Sequence, residues 1–135
     1  MTTYDTGMAA EFYVLSVLHR LGITANLTLG NQKSVDIVVI RSSGDVVTID
    51  VKGIKGKTSW PIKDQLSSRS HYYVFVSFLG KIDDPSVVPE VYVVPSTSIR
   101  SLKSVHEKSG REFIQLRVCG QKASDTVTIG MFFYN

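Results

Sequence analysis

The stretch Val35-Asp-Ile-Val-Val-Ile-Arg-Ser-Ser-Gly-Asp-Val-Val-Thr-Ile-Asp-Val-Lys52 decides the fold. Its two ends, residues 35–40 and 46–52, are rich in the β-branched residues that favour strands. Between them, residues 42–45 read Ser-Ser-Gly-Asp, a composition typical of turns. The stretch therefore predicts a β-hairpin with two hydrophobic strands.

Two aspartates interrupt these hydrophobic strands. Asp36 lies between Val35 and Ile37, and Asp50 lies near the end of the second strand. A buried carboxylate is costly unless it is paired or bound to a cation. Since residues 36 and 51 are equidistant from the turn, we expect Asp36 and Asp50 to converge at one end of the sheet. A divalent cation there would relieve their repulsion.

A lysine follows the second aspartate on the same face of its strand. Strand side chains alternate between faces, so Asp50 and Lys52 project side by side, just before Gly53. Their placement at the end of a buried strand suggests a joint chemical role. An ordinary ion pair on a solvated face is the alternative.

A third acid lies on the first predicted helix. Residues 8–21 predict this helix, which Asp5 or Thr6 would cap and Gly22 would end. Glu11 shares a helical face with Val14 and Leu18, so the charge falls on a stripe that should face the core. Taken alone, a helix glutamate such as Glu11 is more often a partly exposed residue.

The remaining pattern predicts a single α/β (α+β) domain over residues 1–135. We expect a weak strand at 25–29, a loop at 53–63 with a helical turn near 63–69, strands at 72–78 and 90–94, a helix at 96–108, and strand-like alternation at 113–118 and 127–133. Helices and strands in this mixed order are typical of that class.

Composition narrows the class of protein. The 135 residues are 43% hydrophobic and 20% charged, a balance typical of globular chains and not of extended disorder. No apolar run approaches a membrane span, and the first residues lack the pattern of a signal peptide. A lone cysteine, Cys119, cannot form an internal disulfide. We therefore expect an intracellular, cytoplasmic protein without a membrane partner.

The order of these motifs resembles the PD-(D/E)xK nuclease superfamily, which includes restriction endonucleases and archaeal Holliday-junction resolvases. Four pieces carry the likeness over residues 5–95: Gly7-Met-Ala-Ala-Glu11, Ser34-Val35-Asp36, Asp50-Val51-Lys52 and Gln65. They resemble the helix glutamate, the "PD" element, the "(D/E)xK" element and a glutamine on the following helix. Val35 stands where the family's proline would be.

The resemblance implies a restriction-endonuclease-like core that carries a magnesium or manganese site. Asp36, Asp50, the carbonyl of Val51 and Glu11, directly or through water, would bind the ion. Lys52 would orient the attacking water and offset charge in the transition state, and Gln65 would complete the catalytic set. The implied reaction is hydrolysis of DNA phosphodiester bonds.

The segment after the second strand is basic. Lys55, Lys57, Lys63 and Arg69 stand against one acid, which makes a phosphate-contacting stripe or an ordinary solvated loop. Trp60 could stack against a base, or it could anchor the loop to the core.

Two further readings stay open beside a DNA endonuclease. The chain could be a catalytically inactive module of the same fold that binds nucleic acid or a protein, or an unrelated α+β domain. Cleavage of both strands would require a homodimer. The apolar tail, residues 126–134, could form such an interface or an interior strand.

Overall fold

A mixed five-stranded sheet lies between a long helix and a smaller three-stranded sheet. The computed structural model describes residues 1–28, 35–63, 66–116 and 132–133. The elements in chain order are α1 (Thr3–Arg20), β1 (Thr24–Leu27), β2 (Ile37–Ile40), β3 (Val46–Ile54), β4 (Ser59–Ile62), β5 (His71–Ser77), β6 (Glu90–Pro95), a 3-10 turn (Ser96–Ser98), α2 (Ile99–Leu102), β7 (Ser104–Val105) and β8 (Glu112–Gln115). The predicted mixed α/β class is confirmed.

The strands of the large sheet are ordered β1-β2-β3-β5-β6. All neighbours are antiparallel except β3 and β5, which run parallel. The small sheet has the order β4-β8-β7 and is antiparallel throughout. A parallel pair requires a crossover connection, and β4 with the segment up to residue 70 supplies it.

The predicted hairpin is confirmed, with a register one residue away from the expected one. Ile37 pairs with Ile49, so the position across from Asp36 is Asp50 and not Val51. The cause is the turn, because the N–H of Arg41 donates to the carbonyl of Asp45 at 2.9 Å and leaves a three-residue loop. Gly44 has φ 92°, as such a loop requires. Asp36 lies just before β2, not inside it.

Two hydrophobic clusters cover opposite faces of the large sheet. Side chains of β5 alternate between them, so Val74 and Val76 face the cluster around α1, whereas Tyr73 and Phe75 face the cluster around the small sheet. Asp50 and Lys52 pair with Tyr73 and Phe75 in the parallel register. They therefore project toward the side of the small sheet.

Helix α1 begins earlier than the sequence predicts. Thr2 is its N-cap and forms a capping box with Asp5, so neither Asp5 nor Thr6 is the cap. Gly22 follows the helix with φ 74°, as expected for a C-terminal stop. The sheet covers one face only, whose buried residues are Thr6, Ala10, Val14 and Leu18.

Several predicted elements are corrected. The expected loop at 53–63 contains the end of β3 and all of β4, and residues 66–68 are not helical. The expected helix at 96–108 ends at Leu102, because Ser104 and Val105 pair with β8. Phe132 and Phe133 are helical, not extended. The strands predicted at 72–78 and 90–94 are confirmed within one residue at each end.

Within the described residues, no helix is long and apolar enough to cross a membrane.

Candidate active site

The two aspartates meet where the hairpin stops pairing. The β2–β3 ladder ends at Ile37 and Ile49. Beyond it, the N–H of Asp36 donates to the carbonyl of Ile49 at 2.8 Å, and Asp36 Oδ2 accepts the N–H of Val51 at 2.8 Å. The carboxylate of Asp36 thus replaces a strand partner, and this fixes it beside Asp50.

Asp50 is the most deeply buried acid of the site. Its exposed fraction is 2%, and its Oδ1 lies 3.4 Å from Nζ of Lys52. Its Oδ2 is buried and has no hydrogen-bond partner among the described residues. Burial raises the pKa of the Asp50 carboxyl to about 6; the charge of Lys52 opposes the rise and that of Asp36 adds to it.

Glu11 approaches the same place from α1. Burial raises its pKa to about 7, and the negative charge of Asp36 adds to the rise. The helix can come this close because β3 carries a glycine there. A Cβ on Gly53 would lie 2.7 Å from Cβ of Ala10 and 3.1 Å from the carbonyl oxygen of Thr6. We call Glu11, Asp36 and Asp50 the acidic cluster.

The donor atoms of the site suit a hard divalent cation. Carboxylate oxygens are the ligands that Mg²⁺ prefers, and the unpartnered Oδ2 of Asp50 is one of them. The C=O and N–H of a strand residue point to the same side, so the carbonyl of Val51 faces the side of Asp36.

As they stand, the side chains do not form a closed metal centre. No group of three or more His, Cys, Asp and Glu among the described residues is placed to hold an ion. The predicted ligands, namely Asp36, Asp50, the Val51 carbonyl and Glu11 directly or through water, therefore stay a prediction. Mg²⁺ commonly keeps several waters and needs few protein ligands.

A histidine that the sequence did not single out lies on the same face of the sheet. His71 is buried, and its Nδ1 is 2.6 Å from Thr48 Oγ1. Its Nε2 has no partner among the described residues. Its ring packs edge-on against Tyr73, which pairs with Asp50. Burial lowers the pKa of His71, which favours the neutral ring. Only the parallel β3–β5 register brings it here, and sequence spacing could not reveal that register.

The residues predicted to contact nucleic acid differ in their exposure to solvent. Lys55, Lys57, Lys63 and Arg69 are exposed, as phosphate contacts require. Lys55 Nζ donates to the carbonyl of Met1 at 3.3 Å. Trp60 is wrong as a base contact, because it is fully buried and donates from Nε1 to the carbonyl of Val76 at 3.0 Å. Gln65 lies outside the described residues.

Comparisons with known proteins leave the family open. No family model matches the chain, and neither the curated proteins nor the solved structures contain a match. The chemistry of the acidic cluster therefore has to be inferred from its own residues and geometry.

Proposed function

We propose that this protein is a metal-dependent endonuclease that hydrolyses DNA phosphodiester bonds on a restriction-endonuclease-like core. The observation that carries the proposal is the buried Oδ2 of Asp50, which has no hydrogen-bond partner among the described residues and lies beside the carboxylate of Asp36. Two adjacent buried carboxylates repel each other, and a bound divalent cation would remove that cost. Lys52, at 3.4 Å from Asp50, adds the one positive side chain that the proposed reaction needs.

Each residue of the site has a role in this proposal. Asp36, Asp50 and the carbonyl of Val51 would hold Mg²⁺ or Mn²⁺, and Glu11 would act directly or through a water molecule. When bound, the ion would lower the pKa of a bound water and offset charge on the phosphate. Asp36 is held by the main chain of β3, so it needs little rearrangement to bind.

Lys52 would act on the water and on the phosphate. Its ammonium group carries a compact positive charge. The Lys52 side chain is 28% exposed and borders solvent, whereas its partner Asp50 is buried. It would orient the attacking water and stabilise negative charge that develops in the transition state. The water oxygen forms the new bond to phosphorus and releases a proton, the ester P–O bond breaks, and the departing oxygen takes up a proton.

One such site cuts one strand. A homodimer would place two sites on a duplex or on a branched DNA, and we include it in the proposal. An intracellular location would give the enzyme access to DNA.

Cleavage of supercoiled plasmid and of a four-way junction in Mg²⁺ or Mn²⁺ tests the proposal. We expect wild type to cut at least one substrate, Asp50→Ala to lose cutting while folded, and Asp83→Ala, an exposed aspartate in a turn, to cut normally. Cutting that persists in Asp50→Ala would place the active site elsewhere. DNA binding without cutting would favour the catalytically inactive module.

A further inference from the structure

The outer face of the small sheet carries a wide groove. Strand β4, strand β8 and the turn between β7 and β8 form its walls, and its volume is about 1070 Å³. This volume lies just above the range found for ligand pockets, roughly 300–1,000 Å³. The groove is separate from the acidic cluster, none of whose residues lines it.

The charge of the groove is positive. Lys63 from the end of β4 and Arg111 before β8 both line it and are exposed. Among the described residues, neither lies within ion-pair distance of a carboxylate. Among the described residues of the lining, the only acid is Glu112, which is paired with Lys103 at 3.1 Å. The two cations are therefore available to an anionic ligand.

A histidine adds a donor to the same wall. His106 Nδ1 accepts the main-chain N–H of Ser109 at 3.3 Å. Because an amide N–H can only donate, the neutral ring carries its proton on Nε2. The neutral ring of His106 therefore offers a hydrogen-bond donor at Nε2.

The groove also has an apolar element between its polar walls. Pro61 and Phe113 are directly paired across β4 and β8, so their side chains lie next to each other on the outer face. Phe113 is half-buried, which leaves part of its ring accessible. Aromatic rings beside cations are the usual components of single-strand binding surfaces, where bases stack and phosphates pair with basic side chains.

We propose that this groove binds single-stranded nucleic acid, with Lys63 and Arg111 on phosphates and a base stacked on Phe113. Charge complementarity favours a polyanion, and the ring beside the cations favours unpaired bases over a closed duplex. The inference rests on the proposed function in that it assigns a substrate-guiding surface to the nuclease. The small sheet packs on the face of the large sheet that carries Asp50 and Lys52.

Fluorescence anisotropy with a labelled oligothymidine, in EDTA so that no cleavage occurs, tests the proposal. We expect Lys63→Glu and Arg111→Glu each to weaken binding about tenfold and to reduce the salt dependence, because each removes a phosphate contact. Arg100→Glu, an exposed arginine on α2 outside the groove, is the matched control and should change binding less than about twofold.

The base contact needs a separate variant. Phe113→Ala should weaken binding about tenfold while the slope against salt concentration stays as in wild type. Thermal unfolding establishes that each variant is folded. If Phe113→Ala is not folded, Phe113→Leu replaces it in the binding measurement. Equal losses in Arg111→Glu and Arg100→Glu, or tighter binding of a duplex than of the oligothymidine, would overturn the proposal. Since binding is measured without metal, a loss of cleavage alone leaves it intact.

Discussion

The carboxylate of Asp36 accepts the main-chain N–H of Val51 at 2.8 Å, just beyond the last pair of the β2–β3 ladder. The Asp36 side chain thus satisfies an N–H that a neighbouring strand would otherwise pair with, and it is also a candidate metal ligand. Because hydrogen bonds to the main chain of β3 hold it, Asp36 stays beside Asp50 although both acids carry the same charge when ionised. The two aspartates of the acidic cluster therefore meet because strand pairing in the hairpin stops at Ile37 and Ile49.

Asp36→Asn separates these two roles. The amide oxygen can still accept the Val51 N–H, while one negative charge is removed, so the free energy of unfolding in EDTA should change by less than about 1 kcal/mol. The rise in melting temperature on adding MgCl₂ should disappear. Asp36→Ala should in addition lose about 1–3 kcal/mol, since it leaves that N–H unpaired. A full Mg²⁺-induced rise in Asp36→Asn would contradict the assignment of Asp36 as a ligand.

The stability of the metal-free protein should fall as pH rises. Burial and neighbouring charge raise the pKa of Glu11 from 4.5 to about 7 and that of Asp50 from 3.8 to about 6. Because both values are raised in the folded state, the stability from holding these protons is fully present below the unfolded pKa values. It is lost as pH rises through 6 and 7.

Urea midpoints measured in EDTA from pH 4 to 8 check this prediction. Glu11→Gln should remove the upper part of the fall, and MgCl₂ should offset the fall above pH 6, because the ion favours the ionised carboxylates. A midpoint that is constant over this range in EDTA would show that the pKa values of Glu11 and Asp50 are not raised in the folded protein.

Gly53→Ala should push α1 away from β3. The new methyl would lie 2.7 Å from Cβ of Ala10, so we expect a loss of about 1–3 kcal/mol and weaker Mg²⁺ binding through the displaced Glu11. Gly56→Ala is the matched control, because nothing lies within 4 Å of the methyl there. Ala10→Gly in the same chain should recover part of the loss in urea unfolding. Equal stability of Gly53→Ala and wild type would mean that α1 can move away from β3 without cost, which contradicts this prediction.

Trp60 should matter to stability and not to DNA binding. Trp60→Ala removes a fully buried ring and its hydrogen bond to Val76, so the free energy of unfolding should drop by about 3–5 kcal/mol. Tyr4→Ala, at a residue 73% exposed, should change it by less than about 0.5 kcal/mol. If Trp60→Phe is folded but binds DNA more weakly than wild type, Trp60 does contact DNA and this prediction is wrong.

Local patterns in the sequence predicted the hairpin and the order of its acids. Alternating β-branched residues and a Ser-Ser-Gly-Asp turn are short-range signals, so β2 and β3 could be recognised from them. The one-residue error in register arose because turn composition does not reveal loop length. The three-residue loop closed by Gly44 decides which residue lies across from Asp36.

The small sheet could not be predicted in the same way. Strand β4 pairs with β8, which lies about fifty residues further along the chain, and Pro61 argues against a strand when read locally. The helix expected at 96–108 failed for the same reason, since pairing of Ser104 and Val105 with β8 overrides local propensity. His71 reaches the site only through the equally non-local β3–β5 register.

The central claim is that the acidic cluster binds a divalent cation through Asp50. Titration with Mn²⁺, with free ion measured by electron paramagnetic resonance, tests it without any assumption about the substrate. We predict saturable binding by wild type and by Asp83→Asn, and its loss in folded Asp50→Asn. Identical binding curves for wild type and Asp50→Asn, or no binding by wild type, would contradict the claim.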